Sequence, residues 1–195
     1  MGGTMIFSFF DPIDYKAKTV DKNAKTIQMT DIFRNYKAYF KRVASGYRLR
    51  TYYIQGSPRP EELAYQIYGN TQLYWVLLFC NENYDPYYGW ITSQEAAYRA
   101  ADQRYEKVGG NQVLYHVDDR GDKHFNLVED PKNPGTWYDK GDLEMKYPQY
   151  NGALAAVDTY EASVLENEQK RVIKIISPAD IDSFLSDLIR EMEIA

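Results

Sequence analysis

The fold is decided by residues 49–90, LRTYYIQGSPRPEELAYQIYGNTQLYWVLLFCNENYDPYYGW. The segment 47–54 alternates in polarity and is rich in Tyr, Leu and Ile, which predicts a β-strand. Pro60 suits the first position of a helix, and Gly69 marks the end of that helix. The next helix is apolar on nearly every face, so we expect it to be buried. Residues 81–90 contain an Asp-Pro turn and several aromatic residues, which together predict a loop.

The predicted strand needs a partner, and the best candidate is the β-branched segment 171–176. Pairing the two strands produces a strand–helix–helix–strand core, so the fold class is α+β with a large insertion before the second strand. This core divides the chain into five predicted segments. They are a cloning leader (1–4), an N-terminal extension with an amphipathic helix (5–46), the first part of the core (47–90), an insertion with helix, hairpin and helix (91–170), and a closing strand with a C-terminal helix (171–195).

Local patterns predict the other elements. Residues 15–28 are polar and rich in Lys, and we expect them to be extended and to lie against a neighbouring protein. The remaining predictions are a helix from Thr30 or Asp31 to Ala44, a helix over 93–107, a hairpin of 112–117 with 123–128, a loop over 130–150, a helix over 153–170, and a final helix after Ser177-Pro178.

Composition favours a protein that binds other proteins. The 195 residues include 19 Tyr, and aromatic residues make up 15% of the chain. Tyr is enriched in interfaces because it buries a ring while keeping a polar hydroxyl. The alternative is a Tyr-rich core and surface with no special role.

Charge argues against nucleic acid as the main partner, because the net charge is −5. The charge is unevenly spread: residues 32–60 contain seven basic residues and no acidic one, whereas residues 151–195 contain nine acidic residues and four basic ones. Such asymmetry suits docking onto charged protein neighbours. A basic face that only contacts solvent is the alternative.

The sequence offers no convincing catalytic or metal site. Cys80 is the only cysteine, and His116 and His124 are the only histidines, without the spacing of a metal-binding motif. Adjacent carboxylates are numerous, but they lie in polar contexts, whereas a catalytic acid needs an apolar pocket that raises its pKa. No apolar run approaches the length of a membrane span. We therefore predict no catalytic residue, metal or cofactor.

Several motifs resemble a known fold. The chain is similar to LysM, a small module best known for binding peptidoglycan or chitin, in the motifs Tyr52-Tyr53-Ile54-Gln55, Glu62-Leu63-Ala64, Tyr68-Gly69-Asn70 and Tyr74-Trp75. The fuller pattern resembles a narrower family, the LysM-like baseplate wedge subunit of contractile-tailed bacteriophages of the T-even type. It includes Arg59-Pro60-Glu61-Glu62-Leu63, the run from Asn83 to Trp90, Phe10-Asp11-Pro12-Ile13, and the run from Asn167 to Lys174.

This resemblance implies a structural role without enzymatic activity. Such a subunit joins neighbouring wedges during assembly of the baseplate ring and contacts other wedge subunits, including the wedge-core and sheath-initiating subunits. It is located in the virion tail baseplate, and in the host cytoplasm during assembly, with no nucleic acid or membrane partner. The alternative is a glycan-binding LysM module, in which Tyr87, Tyr88 and Trp90 would stack on sugars. The usual Gly-Asp-Thr of the first LysM loop is replaced here by Gly56-Ser57-Pro58-Arg59, which argues against that alternative.

Two sets of residues follow from this interpretation. The candidate partner interface combines the N-terminal helix with the aromatic loops: Phe33, Arg34, Tyr36, Lys37, Phe40, Lys41, Tyr84, Tyr87, Tyr88, Trp90, Trp137 and Tyr138. The predicted LysM-like core consists of Tyr53, Leu63, Ile67, Gly69, Trp75, Leu78, Ile173 and Ile175.

Overall fold

The computed structural model describes residues 12–31 and 35–194. Helices and strands are numbered in chain order. The described residues form six α-helices: α1 (Tyr36–Ala44), α2 (Pro60–Tyr68), α3 (Tyr74–Cys80), α4 (Gln94–Tyr105), α5 (Thr159–Gln169) and α6 (Ile181–Ile194). They also form ten strands: β1 (Ile13–Tyr15), β2 (Ile27–Met29), β3 (Arg50–Tyr53), β4 (Val113–Val117), β5 (Lys123–His124), β6 (Leu127–Glu129), β7 (Thr136–Asp139), β8 (Pro148–Asn151), β9 (Ala155–Asp158) and β10 (Val172–Ile175). The fold is therefore α+β, as predicted.

The chain divides into two compact units. One consists of the described parts of Met1–Ile91 and Lys170–Ala195, and the other is Thr92–Gln169. The first unit contains the β1–β2 hairpin, the β3–β10 pair, and α1, α2, α3 and α6. The second unit contains α4, α5 and two three-stranded antiparallel sheets, with strand orders β5-β4-β9 and β6-β7-β8.

The first unit is organised around the antiparallel pair of β3 and β10. Tyr53 lies opposite Val172, and Arg50 lies opposite Ile175. This confirms the predicted pairing of the segments 47–54 and 171–176, although the two strands, Arg50–Tyr53 and Val172–Ile175, lie far apart in the chain. Helices α2 and α3 follow β3 directly in sequence, and α3 also contacts β10.

The boundaries of α2 follow from its end residues. Pro60 occupies the first turn, where its missing N–H costs nothing, and the Glu62 carboxylate accepts a hydrogen bond from the backbone N–H of Arg59 at 2.9 Å. Gly69 ends the helix with φ = 69°, a left-handed conformation that glycine adopts without strain. Its N–H donates to the carbonyl of Tyr65 at 2.8 Å.

Two hydrophobic clusters form the core of this unit. Trp75 lies in the first cluster, where its ring makes edge contacts with Phe40 (centroids 6.2 Å apart) and Phe79 (6.0 Å). The same cluster contains the apolar stripe of α6, whose buried members are Ile181, Phe184, Leu188 and Met192. The second cluster lies between the β3–β10 pair and the helices α2 and α3, and consists of Ile54, Leu63, Ala64, Leu77, Leu78, Trp90, Ile91, Ile173 and Ile175.

The predicted core residues differ in how deeply they are buried. Five are buried: Leu63, Trp75, Leu78, Ile173 and Ile175. Ile67 is half-buried, and Gly69 is exposed, so Gly69 acts through its backbone conformation alone. The expectation for Tyr53 is corrected: its side chain is 56% exposed, because successive side chains of β3 point to opposite faces and the neighbouring Ile54 takes the buried one.

Some elements differ from the sequence prediction. Residues 153–158 were predicted as helix, but Ala155–Asp158 form β9, paired with β4, and α5 begins only at Thr159. The predicted loop over 130–150 contains β7 and most of β8. Residues 15–28 lie largely within the β1–β2 hairpin.

The start of the first helix also differs. The side chain of Asn35 caps α1 by accepting the N–H of Ala38 at 3.3 Å, whereas Thr30 and Asp31 are not helical. Among the residues described, none of the helices combines the length and apolar character that a membrane crossing requires.

Candidate protein-protein interface

The two histidines face each other across β4 and β5 in the second unit. His116 is buried with its ring 4.7 Å from that of Trp137, and this burial lowers the pKa of His116. His124 Nε2 lies 3.3 Å from Asp118 Oδ2, while Asp118 Oδ1 accepts two backbone N–H groups of the turn at 3.0 and 2.8 Å. Asp118 therefore holds the turn between the strands. No cluster of three or more potential metal ligands occurs within residues 12–31 and 35–194.

The loop formed by residues 81–90, the 81–90 loop, is built by two short polar side chains. Asn83 Oδ1 accepts the backbone N–H of Asp85 at 3.0 Å. Asp85 Oδ1 in turn accepts the N–H groups of Tyr87 and Tyr88 at 2.9 and 3.0 Å. These bonds imitate backbone turns, which is a common use of Asn and Asp in loops. They fix the backbone at the two tyrosines.

The far end of the loop is held at three further points. The N–H of Gly89 donates to the carbonyl of Asp85 at 2.9 Å, and Lys170 Nζ donates to the carbonyl of Tyr88 at 2.7 Å. A Cβ at Gly89 would lie 2.6 Å from the oxygen of Asp85 and would also overlap Asn83, so only glycine fits there. Trp90 is buried, and its indole N–H donates to the carbonyl of Pro58 at 2.9 Å.

This scaffold leaves two large aromatic side chains in solvent. Tyr87 is 81% exposed and Tyr88 is 77% exposed. Ordering a partner-binding side chain costs free energy, and that cost falls when the backbone is already fixed. Adjacent tyrosines on a fixed loop are therefore suited to binding another protein.

The basic N-terminal helix faces the same loop. Lys37 Nζ lies 3.6 Å from the ring centroid of Tyr84, a cation–π contact. Lys41 Nζ lies 2.6 Å from a carboxylate oxygen of Glu82, and this pair raises the pKa of Lys41 and lowers that of Glu82. In the same helix Arg42 pairs with Glu191 of α6. Part of the basic charge of residues 32–60 is therefore balanced within the chain, and is less available to a partner than the sequence predicts.

Comparison with known proteins identifies the family. The family model described as base plate wedge protein 53 matches residues 5–191. The chain is also 71% identical over 189 residues to the baseplate wedge protein gp53 of Enterobacteria phage T4, an alignment that covers 97% of this chain and 96% of that protein.

The chain belongs to the base plate wedge protein 53 family.

Family membership decides the class of function. The chain is a structural subunit of a phage tail baseplate, and it is not an enzyme. The resemblance to baseplate wedge subunits of T-even-type phages is confirmed, and so is the location in the virion tail. The glycan-binding alternative receives no support from these relatives.

Three of the aromatic residues predicted to contact a partner are buried inside the chain. Phe40, Trp90 and Trp137 are 3%, 3% and 7% exposed. Phe40 faces the first core cluster, and the indole N–H groups of both tryptophans donate to carbonyls of the chain itself, those of Pro58 and Gly152. Aromatic content alone does not distinguish such anchors from contact residues, so these three are removed from the candidate interface.

The other predicted interface residues have varied positions. Tyr36 is half-buried and stacks on Phe79, with centroids 5.5 Å apart. Tyr138 is half-buried in the second unit. Phe33 and Arg34 lie outside the described residues.

The sequence predicted the 81–90 loop and its Asp-Pro turn, but not the side chains that fix its backbone. Asn83, Asp85 and Gly89 carry its geometry, and the pattern Asn-x-Asp-Pro followed by Gly is a recognisable turn signal. Two exposed apolar side chains of the second unit, Leu143 (90% exposed) and Tyr147 (71%), also lie outside the predicted interface. No periodic pattern marks these two, because they lie in an irregular segment.

Proposed function

We propose that this subunit joins neighbouring wedges as the baseplate ring closes, and that the 81–90 loop is its principal contact. The observation that carries this proposal is the pair of exposed tyrosines, Tyr87 and Tyr88, on a loop fixed by side-chain and backbone hydrogen bonds. Aromatic residues of this kind are frequent hot spots, whose truncation costs about 2 kcal/mol or more of binding free energy.

The β1–β2 hairpin supports a second contact. A two-stranded ribbon is at best marginally stable by itself. This one exposes Ile27 (57%) and, in its connecting segment, Val20 (88%). We propose that the hairpin packs against a different subunit from the one that binds the 81–90 loop. Two linked weak contacts bind firmly once both engage, since the second is favoured by a high effective concentration.

The proposed partners are other wedge subunits, including the wedge-core and sheath-initiating subunits that the family resemblance implies. The interface formed by the 81–90 loop would also include the nearby side chains Tyr36, Lys37, Lys41 and Tyr84. Tyr138 would contact a partner from the second unit. We also propose that the core has a LysM-like fold, which is supported by the order of β3, α2, α3 and β10 along the chain and by the pairing of β3 with β10. The division of the chain into extension, core, insertion and closing segment is proposed with it.

The glycan-binding alternative is not proposed. Trp90, one of the three aromatic residues expected to stack on a sugar, is committed to the core and to the carbonyl of Pro58.

A complementation experiment tests the proposal. The double variant Tyr87→Ala/Tyr88→Ala should keep its melting temperature, because both side chains are exposed, while the yield of closed baseplates falls at least tenfold. The matched control is Tyr65→Ala/Tyr147→Ala, which removes two tyrosines that are 63% and 71% exposed elsewhere on the chain. A normal yield of closed baseplates with the Tyr87/Tyr88 variant would contradict the proposal.

A further inference from the structure

The two outer edges of the β3–β10 sheet differ. The N–H of Ile54 donates to the carbonyl of Arg171 at 2.9 Å, which fixes the alternation of hydrogen-bonded pairs along both strands. The backbone groups of Thr51 and Tyr53 therefore point away from β10. By the same alternation, those of Val172 and Lys174 point away from β3.

A side chain occupies the outer edge of β10 at Lys174. The N–H of Lys174 donates to Asn81 Oδ1 at 2.7 Å, and Asn81 Nδ2 donates to the carbonyl of Lys174 at 2.8 Å. These are the two bonds that a neighbouring strand would make with this residue. Asn81 Nδ2 also donates to the carbonyl of Leu77 at 2.7 Å, so the side chain is anchored at the end of α3. A further strand cannot pair there without displacing it.

The outer edge of β3 has no such cover. The backbone N–H and C=O groups of Thr51 and Tyr53 form no hydrogen bond with any other part of residues 12–31 and 35–194. Both residues are exposed, Tyr53 by 56%. An unpaired edge of this kind can accept an extended segment from another chain as an additional strand.

The charge of the two strands and their ends favours an acidic added strand. Residues 47–55 and 170–176 contain no acidic residue and five basic ones: Arg48, Arg50, Lys170, Arg171 and Lys174. Pairing two copies of β3 would bring two such basic sets together, which disfavours a second copy of this chain. A segment with Asp or Glu side chains meets charges of opposite sign.

We propose that the free edge of β3 receives an extended acidic segment of another baseplate subunit as a third strand. The inference rests on the proposed function, because it names a contact through which the subunit is held in the ring. Thr51 and Tyr53 offer only two N–H and two C=O groups, so this contact is weak alone and acts together with the 81–90 loop.

Hydrogen exchange provides the first test, on the free full-length chain and on isolated baseplates. The amides of Thr51 and Tyr53 should exchange freely in the free chain and at least tenfold more slowly in the baseplate. The amides of Tyr52 and Ile54, which face β10, should be slow in both states and serve as internal controls. Fast exchange at positions 51 and 53 in baseplates that contain the subunit overturns this inference but leaves the proposed function intact. Protection already present in the free chain also overturns it, because the edge would then be covered by the chain itself.

A proline substitution provides the second test. Thr51→Pro removes the outward N–H, a change that sheet edges tolerate, and should weaken incorporation into baseplates about tenfold. The matched control is Val172→Pro, which removes an outward N–H from the opposite edge of the sheet, two residues from the Lys174 backbone that Asn81 occupies, and should leave incorporation unchanged. Equal melting temperatures of the two variants make the comparison valid. Equal incorporation of the two variants at equal stability refutes the third strand, and an unfolded Thr51→Pro variant leaves the exchange measurement to decide.

Discussion

Replacing Trp75 by Ala is the sharpest test of the packing described for the first unit. The indole is 4% exposed and contacts the rings of Phe40 and Phe79 edge-on, at centroid distances of 6.2 and 6.0 Å. Truncation removes this buried surface and leaves a cavity between α1 and α3 that the large neighbouring rings cannot fill by small movements. Large aromatic truncations in cores cost about 3–5 kcal/mol, and we expect a value in that range.

Thermal and urea unfolding of the full-length chain measure this effect. A loss of that size corresponds to a fall in melting temperature of about 6–20 °C. Tyr74→Ala is the matched control, since Tyr74 is the preceding residue of α3 and is 36% exposed; we expect it to cost less than about 1 kcal/mol. If Trp75→Ala keeps the normal melting temperature but loses partner binding, Trp75 is an interface anchor and the core assignment is wrong.

The remaining predictions concern loop geometry and pH. Gly89→Ala should displace the 81–90 loop, destabilise the fold by about 1–3 kcal/mol and reduce baseplate incorporation, although both tyrosines remain; normal incorporation would show that the loop conformation is unimportant. The Tyr47 hydroxyl donates to Asp187 Oδ2 at 2.6 Å, which raises the pKa of Tyr47 from 10.0 to about 12. Since the folded-state pKa is the higher one, this bond stabilises fully below pH 10 and is lost as the pH rises towards 12. Urea unfolding should therefore give Tyr47→Phe a deficit of at most about 1 kcal/mol at pH 8 that disappears near pH 12, and a deficit independent of pH would contradict the assignment.

The elements that the sequence predicted well are those with local signals at their ends. Helix α2 has Pro60 at its start and a left-handed Gly69 at its end. Each residue favours its position by its own backbone conformation, independently of distant contacts. The partner of β3 was found because few other β-branched segments remained unassigned. Other long-range pairings could not be predicted from local sequence. The Ala-rich sequence before Thr159 favours a helix locally, but residues 155–158 form β9 because they pair with β4.

The candidate interface was predictable only in part. The sequence identified the aromatic loop but could not rank its members, because exposure depends on how each ring is packed. Trp90 and Tyr88 lie two residues apart, yet one is buried and the other is 77% exposed. Likewise, the basic residues of α1 predicted a charged docking face, but Lys41 is paired with Glu82, which lies 41 positions further along the chain.

A cryo-EM map of the assembled baseplate would show whether the 81–90 loop joins adjacent wedges. We expect Tyr87 and Tyr88 to be buried against a subunit of the adjacent wedge, while the rest of this chain contacts its own wedge. A map in which both tyrosines face solvent, or in which every contact of the chain lies within a single wedge, would contradict this expectation.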